Sequence, residues 1–306
     1  MKTGLAAGLT ACAGLVVSSF PLQAFAGESK PLRVISDHTA GGFQFPESAA
    51  YDPRAKVFYV SQFGGSKLDP AAKDGQGKIS KVALDGKVIE ERFLPAAGET
   101  MNKPKGIWVK ANRLWVTDID SVWIFDLKTK KGRKLDIPGI TFANDPTVIG
   151  TSLYVSDNRA DRLYRIEPAD FLNANIAPQI SIPLAGRSIY PNGVHPGKRG
   201  EVLIVGFQSP KEPRGIYSLT KDGELRELAK GLGRLDGVYQ LRDGSLLVTD
   251  WNSGSLSRWT EKGGMEKLAA HFKGPADFAT IEDGKGVTVA VPDLPGSQLR
   301  IIRLSR

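Results

Sequence analysis

Six short segments of the 306-residue chain open on a polar or charged residue and run straight into an apolar stretch. They are Glu47-Ser48-Ala49, Lys105-Gly106-Ile107, Asp145-Pro146-Thr147, Asn192-Gly193-Val194, Asp236-Gly237-Val238 and Asp277-Phe278-Ala279, with Asn144 beside Asp145. Their spacings are 58, 40, 47, 44 and 41 residues. Carboxylates dominate the set, with one amide and one lysine. Carboxylates drawn together repel one another and resist desolvation, so such a set calls for a cation or shared protons. A hard divalent ion with oxygen ligands answers that need, and Ca²⁺ tolerates a mixed shell of carboxylate, amide and water better than Mg²⁺ does. Asp-Gly and Asn-Gly also make tight turns, which is a second explanation for individual members. It explains Glu47, followed by Ser48, poorly.

The chemistry requires these segments to converge, and the repeat supplies the means. A second pattern, an apolar strand ending in a small or polar residue, recurs at Tyr59-Val60-Ser61, Trp115-Val116-Thr117-Asp118, Tyr154-Val155-Ser156-Asp157, Leu203-Ile204-Val205-Gly206, Leu247-Val248-Thr249-Asp250 and Val287-Thr288-Val289-Ala290. A third, alternating strand begins at Ile79, Val122, Leu163, Ile216, Leu256 and Leu299. Period-2 alternation bounded by Gly-rich turns is a strand signal, and helical spacing is almost absent. The expected class is all-β, a six-bladed β-propeller with four-stranded blades. Outer strands are expected at 88–94, 133–137, 180–184, 225–228 and 265–268. The sixth copy ends without one, so Leu32 to Ile35 is expected to close the ring as its outer strand and protect an open edge. The innermost strand of each blade lines the channel of a propeller, so the six opening residues are expected to face one volume. The insert 64–77 accounts for the long first interval; it lacks the ligand pattern of an EF-hand and reads as a loop over one face.

Phe45-Pro46-Glu47-Ser48, Phe142-Ala143-Asn144-Asp145, Pro191-Asn192-Gly193-Val194 and Leu235-Asp236-Gly237-Val238 resemble the blade-opening motifs of the gluconolactonase, regucalcin and luciferin-regenerating-enzyme family of six-bladed propellers. The resemblance runs in repeat order through essentially the whole chain after its first segment. It implies a divalent metal, often Ca²⁺ or Zn²⁺, held by Glu47, Asn192 and Asp236, with Asp236 also the general base. It implies contacts to metal or substrate from Asn144 and Asp145, and Lys105 and Asp277 are expected beside them at the mouth. The implied activity is hydrolysis of a lactone or related ester: a cation polarises the carbonyl and lowers the pKa of bound water, and a carboxylate takes the water's proton. Ca²⁺ is the expected ion, and the same oxygens accept Zn²⁺, Mn²⁺ or Mg²⁺. Two departures bear on the substrate. Phe142 stands where sugar-lactonase members carry Arg, and Pro146 stands where Gly is expected, removing a backbone donor. Phe142, Trp108 and Tyr239 point either to a less polar ligand or to core packing. The missing arginine and a basic rim favour a second class, a non-catalytic propeller that binds a ligand or protein.

The remaining sequence narrows the setting. The composition, 24% charged and 41% hydrophobic, is that of a globular protein and excludes disordered and fibrous classes. One cysteine and three histidines exclude a disulfide framework and a Cys- or His-rich metal cluster. Residues 1–26 combine Lys2, an apolar run from Leu5 to Phe20 and the triplet Ala24-Phe25-Ala26, the layout of a cleavable signal peptide cut after Ala26. A lipoprotein reading through Cys12 would leave too short an apolar region before it. The expectation is a single domain, 27–306, in the periplasm or secreted, monomeric by default, with a small-molecule substrate and no membrane span. Nucleic acid is not an expected partner, because the run Lys128-Thr129-Lys130-Lys131-Gly132-Arg133-Lys134 reads as a solvated hairpin tip without interleaved aromatics. A Ser48, His195, Asp236 triad lacks both the G-x-S-x-G elbow and the α/β scaffold it needs.

Overall fold

Short apolar runs broken by Gly and Asp-rich turns become strands because both faces of each sheet are covered. A computed structural model describes Met1 and residues 31–305; apart from Met1, the signal segment 1–26 lies outside the described residues. Strands β1 to β24, numbered in chain order, form six four-stranded antiparallel sheets. The innermost strands are β2 (Pro46–Asp52), β6 (Pro104–Lys110), β10 (Ala143–Ile149), β14 (Pro191–Pro196), β18 (Leu235–Gln240) and β22 (Ala279–Asp283). This is the six-bladed propeller that the repeats predict.

Closure comes from the amino-terminal strand, as expected, but over a longer span. Strand β1 is Arg33–Ala40 rather than Leu32 to Ile35, and it pairs with β24 (Gln298–Ser305) from Arg33 opposite Ser305 to Ala40 opposite Leu299. An ion pair of Arg300 with Asp37 secures the seam. Leu32, just before the strand, is buried with Phe272 and Leu304 instead of pairing in the sheet.

The core is divided among the blade interfaces. Met101 and Leu94 of the first blade meet Ile107 and Phe125 of the second; Trp115 and Val122 of the second meet Val148 and Val155 of the third. Corresponding clusters lie between each later pair, ending with Phe58 and Val60 against Ala290 and Ile301 across the closure. Each fully buried Val, Leu, Ile or Phe contributes about 1.5–3 kcal/mol.

The second strand of four blades ends on an aspartate that fixes the backbone leading into the innermost strand. Asp118 accepts from the amides of Asn102 and Lys103, Asp157 from Thr141 and Phe142, Asp250 from Arg234, and Asp293 from Lys273 and Gly274. These bonds hold in register the segments that carry the polar residues of the channel. The lysine-rich run starts at the expected hairpin tip between β8 (Ser121–Asp126) and β9 (Gly132–Asp136), and its last three residues, Gly132 to Lys134, lie within β9.

Candidate active site

Five of the innermost strands break register where their polar residue stands. The shifts lie between Pro46 and Ser48, Pro104 and Ile107, Ala143 and Pro146, Pro191 and Val194, and Leu235 and Val238. Each bulge spans Glu47, Lys105, Asn144 with Asp145, Asn192 or Asp236. A bulge re-aims a side chain out of the regular alternation, and here it does so at the channel mouth.

Turn chemistry does not explain the glycines that follow. Gly106, Gly193 and Gly237 lie inside strands without positive φ. They are required by close approach: a Cβ on Gly106 would meet Asp145 Oδ1 at 2.1 Å, and one on Gly237 would meet Phe278 Cδ1 at 2.6 Å.

The six opening residues do not share one volume. Glu47, Lys105, Asn144, Asn192 and Asp236 line a cavity of about 420 Å³ at the amino-terminal ends of the innermost strands. Asp145 and Asp277 line a second cavity of about 260 Å³ toward the other end, with Trp108, His195 and Tyr239. Asp277 precedes β22 rather than opening it, and its Oδ2 accepts from Ser48 Oγ at 2.6 Å. Asp145 follows Asn144 by one residue and therefore turns to the opposite side; its Oδ2 accepts from the Val194 amide at 2.8 Å. The three aromatics grouped in the sequence reading also divide, Phe142 to the first cavity and Trp108 with Tyr239 to the second.

In the first cavity three buried side-chain oxygens lack any hydrogen-bond partner among the described residues, Glu47 Oε2, Asn192 Oδ1 and Asn158 Oδ1. Asp236, also buried, has Oδ2 held by Trp251 Nε1 at 2.7 Å. Burial pushes the Asp236 carboxyl up to about 8, the charge of Asp277 adds to the effect, and hydrogen bonds from Trp251 and Asn192 oppose it. Glu47 is raised well above the ordinary carboxylate range by burial and then by Asp236, with Lys105 acting against them. Lys105 is pushed down to about 8 by burial against the attraction of Glu47. Its Nζ donates to the Lys103 carbonyl at 3.3 Å and sits 4.1 Å from the centre of the Phe142 ring.

In the second cavity, burial raises Asp145 well above its ordinary range, with Asp277 adding to the shift, and brings Asp277 up to about 7. Burial pushes His195 down to about 4. Its Nδ1 lies 2.9 Å from the Pro196 carbonyl, and its ring contacts Trp108 and Tyr239. Ser48 is engaged with Asp277, so no Ser48, His195, Asp236 relay is assembled.

Several residues of the first cavity escaped the sequence reading. Phe63, Asn158, Phe207, Trp251 and Leu294 line it, and each directly follows the last residue of a second strand: β3 (Val57–Gln62), β11 (Ser152–Asp157), β15 (Val202–Gly206), β19 (Leu246–Asp250) or β23 (Gly286–Asp293). The signal was present in the second repeating pattern, one residue beyond the strands. Arg159 and Arg234 complete the wall. The insert 64–77 lies over this face, as expected, and brings Leu68 and Pro70 to the cavity.

No protein-family model and no curated protein sequence matches the chain. Solved structures share its fold. A gluconolactonase from Xanthomonas campestris aligns with TM-score 0.63 at 14% identity over 91% of this chain and 99% of its own. Regucalcin from Agrobacterium tumefaciens, described as a calcium-binding protein, aligns with TM-score 0.59 at 14% identity over 87% and 95%. Virginiamycin B lyase from Staphylococcus aureus aligns with TM-score 0.58 at 15% identity over 90% and 100%. The family likeness of the blade-opening motifs therefore meets the same fold among gluconolactonases and regucalcin, while a lyase on that fold leaves the reaction to be argued from the site.

Proposed function

We propose that this protein is an exported, metal-dependent hydrolase of a lactone or related ester, with its active site in the first cavity. The observation that carries the reading is that Glu47 Oε2 and Asn192 Oδ1, two of the three buried, unpartnered oxygens of the first cavity, belong to innermost-strand residues beside Asp236, whereas the third, Asn158 Oδ1, follows a second strand. A buried acceptor without a donor costs about 1–3 kcal/mol, and a hard cation is the partner that would relieve both. No group of three or more His, Cys, Asp or Glu suited to a metal occurs among the described residues, so the third donor in this set is the Asn192 amide. Glu, Asn and Asp oxygens fit Ca²⁺ and also accept Zn²⁺, Mn²⁺ or Mg²⁺.

The bound cation would polarise the carbonyl and favour ionisation of a water molecule. The chain's own residues would do the rest. Trp251 fixes the Asp236 side chain, whose carboxylate form, favoured by a neighbouring cation, would accept the proton from water. Water oxygen bonds to the carbonyl carbon as Asp236 takes the proton; the C–O bond to the leaving oxygen then breaks and that oxygen receives the proton, giving a hydroxy acid. Asn144 and Lys105 offer hydrogen-bond donors to the developing oxyanion. Phe63, Phe207 and Leu68 limit water and suit a substrate with an apolar part.

Hydrolysis of a panel of lactones with added Ca²⁺, Zn²⁺ or Mn²⁺, compared with Asp236→Ala, tests the reading. Metal-dependent activity lost in the variant is expected; activity unchanged by the substitution would sink the mechanism. Elemental analysis after calcium incubation is expected to find a stoichiometric ion. Export through the 1–26 segment predicts that the secreted or periplasmic form begins at Gly27, which amino-terminal sequencing would read.

A further inference from the structure

We propose that the first cavity selects anionic substrates, a carboxylate attached to an apolar body, through Arg159 and Arg234. The inference rests on the proposed function only in taking this cavity as the substrate site. Both guanidiniums line the cavity, yet among the described residues neither side chain is hydrogen-bonded or ion-paired, and the buried Arg234 Nε has no partner. Arg234 is half-buried and has lost water at Nε without gaining an acceptor, whereas Arg159 is exposed with its donors free, and a carboxylate is the group the planar fork of either fits best.

Both guanidiniums stand over aromatic rings. The Arg159 guanidinium stands 3.8 Å from the centre of Phe142, and that of Arg234 stands 4.3 Å from Phe207 and 5.7 Å from Trp251. A cation–π contact holds the guanidinium without using its N–H donors as hydrogen bonds, which lowers the ordering cost of binding. Their backbones are fixed as well. Asp157 accepts from the amides of both Phe142 and Arg159, so one carboxylate sets the ring and the cation that lies on it, and Asp250 accepts from Arg234. The position where Phe142 replaces the expected arginine thus retains an arginine nearby, supplied by the turn before β12 (Arg162–Glu167) and stacked on the replacing ring.

Charge argues the same way. Lys105, Arg159 and Arg234 face Glu47 and Asp236, and Lys105 and Arg159 share the Phe142 ring. A bound divalent cation would raise the positive excess, so an anionic ligand offsets repulsion that a neutral one leaves in place. The intervening wall of Phe63, Leu68, Pro70, Phe207 and Trp251 offers an apolar surface to the rest of such a molecule.

Calorimetry of the full mature chain with 4-phenylbutanoate and with its neutral amide, 4-phenylbutanamide, tests this without requiring turnover. The acid is expected to bind about tenfold tighter than the amide, the value of one partly exposed charge-assisted contact. Arg159→Gln and Arg234→Gln should each remove most of that preference, read as the ratio of acid to amide affinity within one variant, and Arg159→Lys should keep part of it. Equal binding of acid and amide, or a preference that survives both glutamine variants, would overturn the inference. Acid-selective binding without lactone hydrolysis would retain the inference and refute the proposed function. Hydrolysis of neutral lactones without acid-selective binding would do the reverse.

Discussion

Gly193 lies so close to Asp236 that a Cβ added to it would stand 2.0 Å from the Asp236 carbonyl oxygen. The innermost strands of the fourth and fifth blades meet there backbone to backbone, and this contact sets the spacing of Asn192 from Asp236. Gly193→Ala should therefore cost about 1–3 kcal/mol, as overpacking does, and also separate two expected metal donors. Urea denaturation with and without Ca²⁺ would read both effects. An alanine variant with unchanged stability and unchanged calcium response would show that the close approach has no consequence.

Asp236→Asn keeps the shape of the side chain and removes its charge and basicity. Hydrolysis should fall by about 10²–10⁴-fold, the usual contribution of a positioned base. The metal-free protein should be as stable as wild type or more so at alkaline pH, because a buried carboxylate has been neutralised. Loss of stability alongside loss of activity would recast Asp236 as a structural residue.

The same groups set a pH dependence whose sign is opposite to that of an ordinary paired carboxylate. Asp277 is raised to about 7 and Asp236 to about 8, whereas an unfolded aspartate titrates near 3.9. Between those limits the native chain holds more protons than the unfolded one, so stability of the metal-free protein is highest below about pH 4 as far as these groups are concerned, and falls as pH rises through about 8. Metal in the first cavity must displace the Asp236 proton, so its affinity should rise as pH approaches about 8. Melting temperatures from pH 5 to 8.5, in chelator and in calcium, would check both trends. A metal-free melting temperature that rises steadily over this range in wild type, with no change in slope in Asp236→Asn, would contradict them.

Ser48 ties three blades together: its Oγ donates to Asp277 Oδ2 at 2.6 Å and accepts from the Ile107 amide at 3.2 Å. Ser48→Ala should destabilise by about 1–3 kcal/mol by leaving a buried amide unsatisfied. It should also move the Asp277 titration further up, which carbon-detected NMR of the side-chain carboxyl would follow. His195→Gln, by contrast, should leave hydrolysis nearly unchanged, since His195 lies in the second cavity and touches neither Glu47 nor Asn192. A large loss of activity in that variant would bring the second cavity into the chemistry.

The sequence by itself determined the blade count, the strand order and the closure by an amino-terminal strand. Each follows from periods that survive in one dimension: alternation within strands, apolar runs buried between blades, and a polar residue opening each copy. It also named the six opening residues, because their place in the repeat is a matter of counting, while the choice of Glu47, Asn192 and Asp236 among them rested on the family resemblance of their motifs. The tertiary structure alone decided which of the six opening residues share a cavity. A register shift turns Glu47 and Asn144 one way and leaves Asp145 facing the other, and no residue pattern distinguishes a bulge beside glycine from a tight turn. It alone decided what Phe142 does, because stacking with Arg159 depends on two loops being held by one aspartate. Side-chain direction at the axis is settled by how closely neighbouring backbones approach, and that distance exists only after the ring has closed.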